Sequence, residues 1–496
     1  MVEKYIVVGL FALVLIAVAI GSNLKTREYN DFNLAGRRVG LSRLVASLGA
    51  AEFNTATLIG AASVAYLYGT VGIWYTSIVF IFVFGIYAFT VAKPYRRLGV
   101  STIAEFFERR FQGRLAEPTR ALASFLTLVF TWLAPATYMA GLTVIASVML
   151  GVEPITAIVI LTVFCVALAM AGGFMTAVSF DVVAYALILV FVPVLFWVAY
   201  TNAGGFQSLA TVFEPRYLSF EPIWDIENYG FAAILTWGFN TTLLYIAAPW
   251  YGQRVFAAKQ ETVAYRAMLV NTVLLVVLYA VVAVATMFSR VLMPNLDKPE
   301  EALPRLALEY MPGLLQAFVL VMLLMVGTST IMAIWNSAVS IVVNDFIRRY
   351  FARNKSDAYY IRVSRITFVV LGASTLLFAL SLIGNILLVL TYVGVATALL
   401  AFPILAGLYW RRFTTAAAFW SLIAGAIYVG TALLMSFPYH FISPIGVLIS
   451  VVVGVAITLA TPDRSNDPQV TKFFNVAWNR VVSEPEPAVE RTGEQA

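Results

Sequence analysis

The chain reads as a series of apolar runs separated by short polar, Gly- or Pro-marked interruptions. Most runs hold about 20 residues, which at 1.5 Å of helix rise per residue crosses a hydrocarbon core of about 30 Å. Thirteen spans are predicted, at about residues 4–22, 41–68, 71–94, 118–149, 154–172, 175–201, 229–250, 262–289, 312–345, 360–383, 385–409, 414–436 and 441–461. A transmembrane barrel would instead alternate apolar and polar positions over about 10 residues, so the expected class is an all-α polytopic membrane protein. An odd count puts the termini on opposite sides. Residues 101–111 predict a short amphipathic loop helix whose basic face meets solvent or headgroups. Residues 462–496, with Pro468, Pro485 and Pro487, read as a polar tail outside the membrane domain 1–461.

Composition agrees with this pattern. Of 496 residues, 61% are hydrophobic and 12% charged, about half the charge density of a soluble chain. A single cysteine, Cys165, excludes a disulfide or thiolate metal cluster within the chain. A single histidine, His440, falls between two late runs and is expected in a loop. These two residues are too few for haem or multi-histidine metal chemistry, and they argue against an enzyme. With the N-terminus outside, 27 of the 32 Lys and Arg fall on inner segments, and the longest outer loop, 202–228, carries Glu214, Glu221, Asp225 and Glu227. Retention of positive charge on the cytoplasmic side then predicts an inner-membrane, multi-pass protein with its C-terminus in the cytoplasm. The net charge of +6 is accounted for by these loops and is no sign of nucleic-acid binding.

Chemistry is sought where residues are costly in lipid. Two acids, Glu52 and Asp181, lie inside predicted spans away from their ends, with no Lys or Arg in mid-span to neutralise them. Each costs about 3 kcal/mol at the bilayer centre unless it pairs with a cation, holds a proton or faces water. Glu52 sits in Gly49-Ala50-Ala51-Glu52-Phe53-Asn54-Thr55-Ala56-Thr57-Leu58-Ile59-Gly60. Asn54, Thr55 and Thr57 compete with helix hydrogen bonds, and flanking glycines favour a break. Unwinding there would free the carbonyls of Ala50 and Phe53, which an intact helix closes with the amides of Asn54 and Thr57. The alternative is a continuous helix with tolerated small polar residues.

A second cluster, Val326-Gly327-Thr328-Ser329-Thr330, places the adjacent hydroxyls of Ser329 and Thr330 in the ninth span, where both can flank one ion. Hydroxyl and carbonyl oxygens suit a hard monovalent cation, whereas a divalent ion favours several carboxylates. Packing through small residues is the competing explanation. The seventh span carries Thr236-Trp237-Gly238-Phe239-Asn240-Thr241-Thr242, then Tyr245 and Pro249-Trp250-Tyr251-Gly252. Two interrupted spans at matching places in two halves, 41–202 and 229–409, point to inverted repeats.

Several strings now carry a family resemblance: Asp31-Phe32-Asn33-Leu34-Ala35-Gly36-Arg37, Gly60 to Gly69, Glu105 to Phe111, Gly172-Gly173 with Asp181, Gln253-Arg254-Val255-Phe256-Ala257-Ala258-Lys259, and Gly407-Leu408-Tyr409-Trp410-Arg411-Arg412. In this order and at these positions the chain resembles the sodium:solute symporters up to about residue 461. The resemblance implies a five-plus-five inverted repeat of the LeuT type, with one helix before it and two after. It also implies one Na+ held by the carbonyls of Ala50, Phe53 and Val326 and the hydroxyls of Ser329 and Thr330. Members with a second sodium use the acid at Asp181 plus serines one turn beyond the first pair; here those positions are Met332 and Ala333. One sodium is therefore expected, with Asp181 a gating or structural acid. Thr57 stands where sugar carriers have glutamine, and no cationic residue is found for the pocket of sugar or sialic acid carriers, which disfavours both solutes. Glu52 stands where proline transporters carry an aspartate. Together with Asn54, Thr57, Trp237, Asn240, Thr241 and Tyr245 it is expected to line a pocket for a small amino-acid-like or amine-bearing solute. A monocarboxylate, a pantothenate-like vitamin, or proton coupling through Glu52 stay open as alternatives.

Overall fold

The computed structural model describes residues 2–25, 28–227, 229–379 and 386–478, and every regular element among them is helical. In chain order the main helices are α1 (Val2–Lys25), α2 (Leu41–Glu52), α3 (Thr55–Tyr68), α4 (Val71–Leu98), α5 (Ile103–Arg110) and α6 (Ala116–Leu150). They continue with α7 (Pro154–Ala203), α8 (Phe231–Ile246), α9 (Pro249–Ala257), α10 (Glu261–Leu292), α11 (Gly313–Phe351) and α12 (Asp357–Ala379). The last are α13 (Ile386–Ala398), α14 (Ala401–Tyr409), α15 (Thr415–Leu434), α16 (Tyr439–Ala460) and α17 (Pro468–Trp478). Among the described residues, 9 helices are long and apolar enough to cross a membrane unaided, or up to 11 spans if each of two bent pairs counts as one.

Those pairs are α2 with α3, bent by 55°, and α8 with α9, bent by 44°. Helix α7, with 50 residues, is about twice the length a bilayer needs. It is interrupted where Gly172 and Gly173 leave helical geometry, the latter at φ 58. A side chain at Gly173 would meet the carbonyl of Phe32 at 2.6 Å, so both the left-handed backbone and the close approach require glycine.

The first broken pair and α9 lie at the heart of the bundle, whereas α8 leaves Leu235 and Phe239 exposed. Helix α2 packs between α7 and α10, and α11 packs on α6 and α7. The approach is so close that a Cβ at Gly49 would stand 2.3 Å from the Tyr185 ring and 2.7 Å from Asn271 Oδ1. A short parallel bridge ties the start of the first pair to the end of the second: Val39 N donates to Ala257 O at 3.1 Å, and Lys259 N donates to Val39 O at 2.9 Å.

Four expectations change here, the last being the loop position of His440. The seventh span does not finish near Pro249: the chain re-enters helix at once and runs to Ala257, because proline at the first helical position needs no amide partner. The loop helix 101–111 appears as α5, capped by Thr102, yet Arg110 on it is buried, held by the carbonyls of Gly407 (2.9 Å) and Phe413 (2.9 Å). The tail folds back as α17, with Trp478 Nε1 donating to Leu408 O at 2.8 Å and Arg97 capping its C-terminus at Ala477 O (3.1 Å). His440 falls in the first turn of α16. The predicted boundary at 383–385 and tail positions 479–496 lie outside the described residues.

Candidate functional site: the broken helix and its two buried acids

Asn54 makes the break. Its Oδ1 accepts the amide of Thr57 at 2.8 Å, an N-cap that starts α3, while its own amide donates to Glu52 O at 2.6 Å. Those are the two amides that a continuous helix would aim at Phe53 O and Ala50 O. With both diverted, these carbonyls lose their helical partners in the middle of the bundle. Glu52 O takes further donors from Asn54 Nδ2 at 2.7 Å and Tyr279 Oη at 2.7 Å, which fixes the turn.

Helix α11 presents its hydroxyls to this break. Thr330 Oγ1 lies 3.0 Å from Val326 O and 3.3 Å from Ala51 O, so it bridges α11 to the end of α2. Ser329, one residue back and rotated by a helix step, donates to Asp181 Oδ1. All five residues named for sodium are buried.

The two acids have different surroundings. Asp181 is fully buried and forms an ion pair with Arg254 at 2.8 Å, itself 0% exposed. Ser47 donates to the same carboxylate, and Arg254 Nε reaches Ser47 O at 3.0 Å and Oγ at 2.9 Å. The expectation that no cation neutralises the acids therefore fails at Asp181. Arg254 belongs to α9, which carries it from the inner loop assumed by the charge count into the bundle. Its place within the Gln253-Arg254 string was the signal available, but no spacing tied it to an acid 73 positions upstream.

Glu52 is equally buried and has no cationic partner among the described residues. Its Oε2 accepts from the hydroxyls of Tyr245 and Tyr251, the latter at 2.5 Å, and its Oε1 has no hydrogen-bond partner. Aromatic rings close around it. Tyr245 and Tyr251 lie 4.7 Å apart, Phe84 meets Tyr245 edge-on at 5.9 Å, and Phe80 stacks on Tyr279 at 5.3 Å. Tyr251 and Tyr279 were missed from sequence: the first lies beyond the Pro249 break, the second on a helix with no polar pattern to mark it.

The remaining candidates divide. Tyr245, Asn54 and Thr57 come together at the break. Trp237 lies about 12 Å along α8 from Tyr245, with Nε1 donating to Tyr75 O at 3.0 Å on α4. Asn240 accepts from Ser443 on α16 at 2.8 Å, and Thr241 Oγ1 is buried with no hydrogen-bond partner. Trp237 and Asn240 thus mark the contact of α8 with its neighbours rather than the carboxylate.

A helical bundle with two broken spans, and with backbone carbonyls freed of helical partners at one of them, has the architecture of a secondary transporter. The sequence model of the sodium:solute symporter family matches residues 32–425, and the chain belongs to that family. Among relatives, the osmoregulated proline transporter OpuE of Bacillus subtilis is 24% identical, over 93% of this chain and 95% of its own. The rabbit (Oryctolagus cuniculus) sodium/glucose cotransporter 1 is 22% identical, over 87% of this chain and 72% of its own. The fold matches the substrate-bound outward-open Na+-coupled sialic acid symporter with a TM-score of 0.81 at 18% identity, covering 93% of this chain and 98% of that one. Sodium-coupled solute transport, and not enzymatic catalysis, is what this membership establishes.

Proposed function

We propose that the protein carries one sodium ion and one small amine-bearing or amino-acid-like solute inward by alternating access, with Na+ held by Ala50 O, Phe53 O, Val326 O, Ser329 Oγ and Thr330 Oγ1. The observation that carries this reading is the diversion of the Asn54 and Thr57 amides, which strips two carbonyls of their helical partners beside Thr330. Backbone left open at membrane depth is tolerated where it lines a cavity or binds an ion. The solute class follows from Glu52: a buried carboxylate with one unpartnered oxygen and aromatic walls suits an ammonium group, through charge and through ring faces. Relatedness to a proline transporter over nearly the whole length supports the same class.

The membrane domain in this reading is 1–461, with thirteen spans, the N-terminus outside and the repeats 41–202 and 229–409. It is supported by the two bent pairs at matching positions, by the glycine break that divides α7, and by the apolar stretch of α1. One inward Na+ supplies about 2.3 kcal/mol per 100 mV and about 1.4 kcal/mol per tenfold gradient, enough for several-hundredfold accumulation of a neutral solute.

The test is a thermal-shift screen of purified protein with and without Na+, against amino acids, amines, monocarboxylates, polyols and vitamins. Stabilisation by an amine-bearing solute that requires Na+ is expected; stabilisation by a monocarboxylate or vitamin alone overturns the solute class. A second reading, proton coupling through Glu52, is favoured by the absence of a cationic partner on that acid among the described residues. Uptake that ignores Na+ but collapses with a protonophore selects it.

A further inference from the structure

At one end of the bundle, three linkers meet around a cavity of about 290 Å³: the α5–α6 linker, the α14–α15 linker and the segment that joins α16 to α17. Five arginines line it, Arg110, Arg114, Arg411, Arg412 and Arg464, against a single acid, Asp467. That acid is engaged locally, accepting the amide of Gln469 at 2.9 Å at the start of α17.

The cationic groups are poorly matched within the protein. Arg412 Nε is buried without a hydrogen-bond partner and stands 4.0 Å from Asp463, which is half exposed and already accepts the Ser465 amide. Arg110 is held by carbonyls and by the rings of Phe111, Phe473 and Phe474, so its charge has no counterion; burial pushes its pKa down to about 10, which leaves it charged at neutral pH. Arg411 faces the Phe474 ring at 5.1 Å. Among the described residues, the side chains of Arg114 and Arg464 enter no ion pair. The walls are nonetheless fixed. Gln112 N donates to Thr415 Oγ1 at 3.0 Å and Thr415 Oγ1 to Gln112 O at 2.9 Å, while the hydroxyls of Thr414 and Thr461 lie 3.4 Å apart. A rigid concave surface whose guanidiniums outnumber their acidic partners, with adjacent hydroxyls, suits an oxyanion, because guanidinium forks match phosphate oxygens.

We propose that this cavity binds a phosphate group, with the headgroup of an anionic phospholipid as its source. Arg412 also donates to Leu459 O at 3.3 Å, and the Leu459 side chain is 58% exposed at the end of the apolar helix α16, so the cavity opens beside the surface that lipid covers. Basic pockets at helix ends on the cytoplasmic side are suited to anionic headgroups. This inference does not depend on the solute or on the sodium ligands.

Full-length protein in detergent would be unfolded thermally with phosphatidylglycerol, phosphatidylcholine, inorganic phosphate, or potassium chloride at matched ionic strength. Phosphatidylglycerol is expected to raise Tm by about 2 °C or more over phosphatidylcholine. The shift should be lost in Arg412→Gln and in Arg464→Gln, and kept in Arg353→Gln on another basic surface. Arg464 is exposed on a linker, so its variant keeps the test readable if Arg412→Gln folds poorly. A shift with phosphate that the same variants abolish also supports the site and assigns a soluble ligand in place of lipid. No shift with either anion, or an equal shift in wild type and both variants, overturns it.

Discussion

Glu52 and Asp181 are both fully buried acids in the core of a membrane bundle, and they meet the cost of that burial in opposite ways. Asp181 is neutralised inside the protein by Arg254, with Ser47 and Ser329 completing its hydrogen bonds. It is a closed unit that ties α7, α2, α9 and α11 together. Glu52 is supported only by phenol hydroxyls, with no cation among the described residues to cancel a charge on it, and one oxygen is left open. A charge kept uncompensated in low dielectric destabilises the empty protein, which is tolerated where a mobile cation completes the site. In the proposed reading the contrast therefore separates an acid that holds the structure from one suited to a ligand, although Ser329, proposed for sodium, touches the former.

The sharpest way to break this comparison is to remove one half of the closed pair. Arg254→Leu should strand a buried carboxylate and lower stability by about 3–5 kcal/mol, with much of the loss recovered in Asp181→Leu/Arg254→Leu. Thermal unfolding of the three variants reads it, and an Arg254→Leu protein as stable as wild type would show that Asp181 does not need its cation. At the open acid the expected sign differs. Glu52→Gln should leave the protein folded with unfolding temperature kept or raised, yet weaken apparent affinity for an amine-bearing solute about 10- to 100-fold, the worth of a charged hydrogen bond.

Smaller effects sharpen the comparison where the two regions meet. Ser329→Ala and Thr330→Ala should each raise the sodium concentration for half-maximal transport by roughly fivefold. Ser329→Ala should also lower stability, since it removes a donor from Asp181; unchanged sodium dependence in the double variant removes the assigned ion site. Asn54→Ala should cost about 1 kcal/mol through loss of the α3 N-cap. It should weaken sodium binding too, because the Thr57 amide becomes free to close on Phe53 O, and a titration of unfolding temperature against Na+ would detect both.

Much of this site is legible in the chain because its causes are local. Asn54, two residues beyond Glu52 and three before Thr57, has a side chain that competes for backbone amides, and the break falls within the stretch that glycines bracket. The Ser329–Thr330 pair stands out because, with Thr328, it sets consecutive hydroxyls inside an otherwise apolar span. Arg254 does not stand out, since a residue after a proline near a polar loop looks like a loop cation until α9 is known to be helical and turned inward. The docking of α17 is hidden for a similar reason: Phe473, Phe474 and Trp478 are too few to mark a core, and only Arg110, Arg97 and Leu408 O at the receiving surface give them partners.

The amino-acid order alone determined that the chain is a multi-pass helical membrane protein and that its second span breaks at Asn54, because hydropathy and side-chain competition for amides act over a few neighbouring residues. The tertiary structure decided which buried acid receives an arginine, which keeps an open oxygen among tyrosines, and which hydroxyl faces which. Those outcomes depend on how helices 70 to more than 200 positions apart are rotated and seated against one another, and the free energy that fixes those rotations is shared across the packed bundle rather than stored in any one segment.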